Sequence, residues 1–416
     1  MQVVISSIVL PYPLTSGGAQ GLFNMIDSMR HDHQLTLIFP QNGGNTLRAM
    51  RQLQTLWPNV DLRPYPYWRQ LLHPRFLFDK ARRAFGLRFR ADDPHFRVMR
   101  ILKPYGYYMT SDFGRFIRRI IELKQPDLFQ SEFFPYLPIA TLLPAGLPRL
   151  FVHHELRSVR NERMLQGIID SANYRLSDNE LKLKQQVEQQ ELDLLNQYDA
   201  VITLTEVDRA LLNQRGVRVP VFTSPLSVST PVIKPQPWNG KLLFLGGFEH
   251  LPNQEGLRWL LNEVLPMTDK VSAPLSIVGS GWNETWLDAL NTSGIPLQLQ
   301  GYVEDLPSVA QGCIMVVPIL SGSGMRMKLL EAAALGTPVI TTSVGCEGLG
   351  LRHLEHCLIA DTPAEFASAI ARLTQDEALR SRLAEALQRH FEQHYSPQAM
   401  AHLRDEVWQS VFSSRS

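Results

Sequence analysis

Apolar positions along this chain keep two rhythms in turn. Short apolar, β-branched runs are followed by a loop and then by apolar residues at helical spacing. Residues 3–10 read as a strand, 11–20 as a loop, 21–30 as a helix and 34–40 as the next strand. Strands are predicted again at 126–130, 149–153 and 198–204, with a capped helix over 205–213. Residues 221–238 (VFTSPLSVSTPVIKPQPW) break the rhythm with Pro, Ser and Thr, the composition of a domain boundary. The pattern restarts with a strand at 241–245 and a Gly246-Gly247 turn. It ends in helices over 363–373, 377–395 and 397–412. Alternating strands and helices imply an α/β protein with parallel, doubly wound sheets and ligand loops at the strand C-termini.

The stretch from Cys313 to Gly350 carries the most chemistry. It reads as a buried strand, a loop of Ser321, Gly322, Ser323, Gly324 and Met325, a helix with Leu329, Leu330, Ala333 and Ala334 on one face, and a second strand. A strand-to-helix junction of this kind aims free backbone N–H groups and the positive helix end at one spot, which suits phosphate. Arg326 and Lys328 stand at that helix start, where cations oppose the dipole unless an anion is bound. Glu331 follows Arg326 by five residues, about 7–8 Å along a helix axis. That is the separation of a diphosphate from the ribose of one nucleotide, and a carboxylate accepts from two sugar hydroxyls. Read without further context, the same residues also fit a plain Ser/Gly connection and a solvated helix face.

Residues 242–266 (LLFLGGFEHLPNQEGLRWLLNEVLP), 275–281 (LSIVGSG) and 301–349 resemble the retaining, two-domain GT-B glycosyltransferases of the group 1 or GT4-like family. The resemblance covers the C-terminal half closely and the N-terminal half loosely. It implies two Rossmann-like domains facing across a cleft. Residues 1–225 would bind the acceptor, 226–239 would link, 240–396 would bind a nucleotide sugar, and 397–416 would cross back to the first domain. It implies sugar transfer with retention, without metal or cofactor, from a UDP-, GDP- or other nucleotide sugar to a saccharide or lipid-linked acceptor in cell-surface polysaccharide or glycoconjugate synthesis. Gly17, Gly18, Gly246, Gly247, the loop 321–325 and Glu331 would bind the donor. Arg326 and Lys328 would neutralise the leaving diphosphate, and no Asp-x-Asp motif stands at a plausible strand end to hold a metal. The family commonly has two glutamates seven residues apart; Glu331 matches the second, and Ser323 occupies the first.

His153 and His154 emerge at a predicted strand end, ahead of Glu155 and Arg157. Isolated from context, a histidine pair is more often structural than catalytic. The resemblance implies that His154 approaches the donor sugar and that Glu155 holds the loop. Gly17 and Gly18 fall where substrate meets a doubly wound sheet, or form a flexible turn. His31-Asp32-His33 occupies a helix-to-strand turn and reads as solvated.

Composition narrows the alternatives. The chain of 416 residues can hold two cores, and 44% hydrophobic with 19% charged residues is ordinary for a globular protein. A net charge of +1 argues against nucleic-acid binding. Cys313, Cys346 and Cys357 are too few and too irregular for a disulfide framework or zinc site. The start MQVVISSIVLPYP lacks a basic region, and no run approaches a membrane span, so a cytoplasmic protein is expected. The segment 78–103 interleaves Lys and Arg with Phe and Leu. It reads either as a membrane-surface patch serving a lipid-linked acceptor or as a solvated helix face. A nicotinamide oxidoreductase lacks its Gly-x-Gly-x-x-Gly, and a P-loop hydrolase its Gly-Lys-Ser/Thr. An epimerase of the same fold and a sugar-nucleotide binder without turnover remain the competing classes.

Overall fold

The computed structural model describes residues 1–14, 16–41, 44–66, 93–105, 111–268, 273–290, 294–322 and 324–414. They form two compact units, Met1–Pro225 with Ala401–Ser416, and Leu226–Met400. Most of the basic segment 78–103, and Ser323, lie outside the described residues.

Unit 1 begins β1 (Gln2–Ser6), α1 (Gly17–Met29), β2 (Gln34–Pro40), α2 (Gly44–Leu56) and β3 (Asp61–Tyr65). It continues α3 (Pro94–Ile101), α4 (Ser111–Lys124), β4 (Leu128–Glu132), β5 (Arg149–His153), α5 (Arg157–Ala172) and α6 (Asp178–Leu195). It ends β6 (Ala200–Thr203), α7 (Glu206–Gln214) and β7 (Val221–Thr223). Its sheet runs β3-β2-β1-β4-β5-β6-β7, every neighbouring pair parallel. The direction of winding reverses between β1 and β4, so the carboxyl ends of those two strands form the crevice where a doubly wound sheet takes ligand.

Unit 2 comprises β8 (Leu242–Leu245), α8 (Leu251–Trp259), β9 (Leu275–Val278), α9 (Glu284–Leu290), β10 (Leu297–Gly301) and α10 (Leu306–Ala310). Then come β11 (Ile314–Val317), α11 (Met327–Ala334), β12 (Val339–Thr341), β13 (Leu358–Ile359), α12 (Pro363–Gln375) and α13 (Glu377–His394). The parallel order β10-β9-β8-β11-β12-β13 repeats the same winding, with its reversal between β8 and β11. The last helix, α14 (Pro397–Ser413), groups with unit 1 from Ala401 onward.

Both sheets are covered on both faces, which is why their strands read as continuous apolar runs rather than alternations. Val3, Val4 and Ile5 of β1 and Ile314, Met315, Val316 and Val317 of β11 are fully buried. Each such side chain contributes about 1.5–3 kcal/mol relative to exposure. The three cysteines are free and buried. Among the described residues no helix is long and apolar enough to cross a membrane.

Three expectations change. The helix predicted from residue 21 starts at Gly17, because Ser16 caps it and accepts from the Ala19 N–H at 3.2 Å. Gly17 and Gly18 therefore lie in a first helical turn, not in a loop. His33 is not solvated; its side chain is 6% exposed, pairs with Asp405 at 3.2 Å and meets the Trp408 ring edge-on, because α14 covers that turn. Residues 226–239, read as a linker, group with unit 2 and are bonded into it. Ile233 N–H donates to the Ala334 carbonyl at 2.8 Å, Gln388 Nε2 donates to the Ile233 carbonyl, and Ser227 Oγ donates to the Tyr395 carbonyl.

Helix α8 lies against the end of β11 only because residue 256 is glycine. A Cβ there would stand 2.0 Å from the Pro318 carbonyl oxygen. Alanine would favour the helix by about 0.8–1.0 kcal/mol on propensity alone, but a backbone atom cannot yield that space. Gly256→Ala is expected to destabilise unit 2 by about 1–3 kcal/mol, read as a lower denaturation midpoint.

Candidate active site

In unit 2 the site is built where β8, β9 and β11 end. Gly246 N–H donates to the Val278 carbonyl at 2.8 Å and Phe248 N–H to that of Ser280 at 2.9 Å, so the loops after β8 and β9 run side by side. Their approach excludes side chains: a Cβ on Gly279, at φ +145, would lie 2.2 Å from the Gly246 carbonyl oxygen. A Cβ on Gly246 would strike the Asn253 amide at 2.6 Å. Asn253, on α8, is buried and acts as a bracket. Its Nδ2 donates to the Gly247 carbonyl at 2.8 Å, and its Oδ1 accepts from Lys328 Nζ at 2.8 Å.

The loop after β11 turns on Gly322 and Gly324, at φ +98 and +80, a region that side chains disfavour. Ser321 Oγ donates to Glu255, and Arg326 Nη1 donates to the Gly324 carbonyl. Arg326 is the N-cap of α11 and supplies no side-chain cap. Lys328 is half-buried, with its ammonium 5.1 Å from the centre of the Phe244 ring. Burial, and then the neighbouring Arg326, pull its pKa down to about 7. Glu331 is only 5% exposed, which removes the reading of a surface helix residue. Thr230 Oγ1 donates to its carboxylate from 101 positions away in the chain. Gly246, Gly247, Ser321, Gly322, Gly324, Arg326 and Lys328 are thus gathered at the β8/β11 reversal, beside Met325, with Glu331 one turn further along α11.

In unit 1 the corresponding crevice holds a polar chain that the sequence did not disclose. His154 follows β5, is half-buried, and its Nε2 lies 2.5 Å from Glu132 Oε2. Glu132 ends the buried strand β4 and is 1% exposed. Its Oε1 accepts from Gln130 Nε2 at 2.5 Å, and Gln130 Oε1 accepts from the Trp408 indole N–H at 2.7 Å. The His154 ring stacks on Phe133, with centroids 3.9 Å apart and planes 12° apart. Phe133 holds φ 67, costly for a bulky residue and a conformation that clusters at functional sites. Gly18 faces that ring; a Cβ on it would lie 3.0 Å from Phe133 Cε1. His153 points the other way, into the core, paired with Glu191 at 3.1 Å, and Glu155 pairs with Arg160 at 3.3 Å.

A carboxylate behind a histidine fixes ring orientation and tautomer. Glu132→Gln keeps the volume and replaces that acceptor with an amide. It is expected to lower turnover about tenfold, the low end for loss of an orienting partner, with little change in folding midpoint. Steady-state kinetics beside a melting curve check both.

A family model described as "Glycosyl transferases group 1" matches residues 239–376, the segment that carries the β8/β11 site. Those residues belong to the group 1 glycosyltransferases. An uncharacterised 44.6 kDa protein from the cps region of Klebsiella pneumoniae is 31% identical over 147 residues, 33% of this chain and 38% of that protein. A D-inositol 3-phosphate glycosyltransferase from a Nocardioides species is 26% identical over 277 residues, 58% of this chain and 57% of its own. The matches thus span between about two fifths and three fifths of these curated relatives. A TarM variant from S. aureus, solved with fondaparinux, alpha-GlcNAc-glycerol and UDP, shares the fold over 99% of both chains at TM-score 0.67 and 10% identity. The two doubly wound α/β units are the architecture expected of a GT-B protein.

Proposed function

We propose that this group 1 glycosyltransferase moves a sugar, with retention and without a metal ion, from a nucleoside diphosphate sugar to a hydroxyl of a saccharide acceptor. The observation that carries the reading is the grouping of Arg326, Lys328 and the glycine loop at the start of α11, with Glu331 buried one turn on. A diphosphate at that helix end meets two cations and the amides of the loop. The Glu331 carboxylate, held by Thr230, then lies at the distance of a ribose. UDP is the first candidate nucleotide, since the TarM structure of similar fold holds it.

Departure of the diphosphate is the costly event, and fixed positive charge aimed at it supplies stabilisation without a metal. In a front-face transfer the leaving phosphate oxygen accepts the proton of the acceptor hydroxyl, so no carboxylate nucleophile is required and Ser323 is tolerable. His154, oriented by Glu132, is the candidate catalytic side chain that unit 1 supplies. The acceptor belongs to unit 1, and assembly of a polysaccharide or glycoconjugate is the setting that this chemistry suits.

The test is a melting screen against UDP, GDP, ADP and TDP with and without EDTA. A ligand at a hundredfold excess over its Kd stabilises by about 2.7 kcal/mol. Selective, EDTA-insensitive stabilisation by one of them is expected, and no shift with any of them would remove the donor site. Glu331→Ala is expected to weaken that ligand about tenfold, through loss of a charge-assisted hydrogen bond worth about 1.5–3 kcal/mol. Calorimetry measures it. Ser323 favours one competing reading, a donor-binding protein without turnover. Release of labelled sugar from the bound donor, to water or to an acceptor, excludes it.

A further inference from the structure

The polar chain behind His154 has a direction, and its far end sets that direction. Trp408, on α14, is fully buried and lies edge-on to His33. An indole N–H only donates, so the Gln130 atom that meets it at 2.7 Å is the carbonyl Oε1. The Gln130 side chain is fully buried as well, and its Nε2 is left to face Glu132 Oε1 at 2.5 Å. Glu132 therefore accepts on that side. Its other oxygen, Oε2, meets His154 Nε2 at 2.5 Å.

What passes between those last two atoms depends on the charge of Glu132. A protonated carboxyl can donate to the ring, whereas a carboxylate only accepts. Arg404, one turn before Trp408 on α14, decides between them. It is fully buried and donates to Ser224 Oγ at 3.0 Å and to the Ser224 carbonyl at 3.4 Å. Burial lowers the pKa of its guanidinium, and the electrostatic interaction with Glu132 opposes that fall. A guanidinium keeps its charge in proteins, and a nearby cation favours a carboxylate as the anion. The imidazole is held in place by its stack on Phe133. Its Nδ1 has no hydrogen-bond partner among the described residues and keeps access to solvent.

We propose that Trp408 fixes the direction of this chain, so that neutral His154 carries its proton on Nε2 and offers Nδ1 as an open acceptor for a sugar hydroxyl. Trp408, Gln130 and Arg404 are then positioning residues that act through Glu132. An acceptor nitrogen holds a hydroxyl by its proton, where the opposite tautomer would present a donor. The hydroxyl rests on the transfer reading; the tautomer does not.

The test reads the ring nitrogens directly by nuclear magnetic resonance, in the full chain labelled with nitrogen-15 histidine. Protonated and bare nitrogens of a neutral ring have distinct shifts, and the signals missing from His154→Gln assign those of His154. On the alkaline plateau of the titration, native His154 is expected to show a protonated Nε2 and a bare Nδ1. A ring protonated on Nδ1, or an even mixture, overturns the proposal. Glu132→Gln sharpens the test. With Trp408 fixing Gln130, the new amide accepts from Gln130 and donates to the ring, so the tautomer should invert and the two nitrogen shifts change places. An unchanged tautomer in that variant also overturns the proposal. Adding Trp408→Phe to Glu132→Gln frees the direction and should give an averaged ring; full inversion kept there overturns the part assigned to Trp408. Circular dichroism confirms the fold of each variant. The native and Glu132→Gln spectra decide the proposal even where Trp408→Phe does not fold. The melting shift with UDP, measured alongside, tests the donor reading separately: its absence removes the sugar hydroxyl and leaves the tautomer standing.

Discussion

Arg326→Ala is expected to cut sugar transfer by about a hundred- to a thousandfold, the loss seen when one preorganised charge-stabilising donor is removed. The folding midpoint should barely move. Arg326 contributes no side-chain cap to α11, is half-buried, and its Nη1 bond to the Gly324 carbonyl stays within the same loop. The negative charge of the diphosphate grows as the glycosidic bond breaks. An interaction that strengthens along that coordinate appears in kcat more than in KM. Arg326→Lys separates charge from geometry. It keeps one positive charge and loses the fork that can bind two oxygens, so it should recover part of the rate and not all of it. Donor turnover, followed as transfer or as slow hydrolysis, is the measurement. Unchanged donor affinity together with unchanged rate in Arg326→Ala would place the diphosphate elsewhere.

What could be read in advance follows from how each feature is encoded. β2 and β5 lie where the apolar runs place them, at Gln34–Pro40 and Arg149–His153, because central parallel strands are apolar throughout. Thr205 caps α7 as its type and position suggest. The loop 321–325 announced itself because glycine, serine and a following helix are contiguous. Glu132 was missed for the opposite reason. Its strand reads LFQSE, and three polar residues after an apolar start look like the beginning of a loop, although all five are buried. The available signal was a carboxylate closing a central strand directly before Phe-Phe-Pro. Thr230 could not be found at all, since 101 positions separate it from Glu331 and no periodicity links them. The start of α1 was lost because its cap and two glycines carry no apolar stripe. The covering of His33 needed the C-terminal helix, which no local pattern reports.

Lys328 gives the site a pH dependence of defined sign. With no ligand its pKa is about 7, lowered first by burial and then by Arg326. Among the described residues, the groups facing it are the Asn253 amide, the Phe244 ring and the Arg326 guanidinium, none of which supplies a negative charge. A bound diphosphate supplies that charge, so the ammonium becomes favoured in the complex and binding takes up a proton wherever free Lys328 is neutral. Below pH about 7 the lysine is already charged and affinity should be level. Above it, each pH unit costs about 1.4 kcal/mol, until the raised pKa of the complex is reached. Nucleoside diphosphate affinity should therefore fall by up to about a hundredfold between pH 7 and pH 9. Lys328→Met should bind more weakly at pH 7 and show a flat profile over the same range. Calorimetry in two buffers of different ionisation enthalpy counts the proton directly. Uptake approaching one proton at pH 8.5 in the unsubstituted chain, and none in Lys328→Met, is the expected result. A native profile as flat as that of the variant would detach Lys328 from the diphosphate and leave its burial a matter of packing against Phe244.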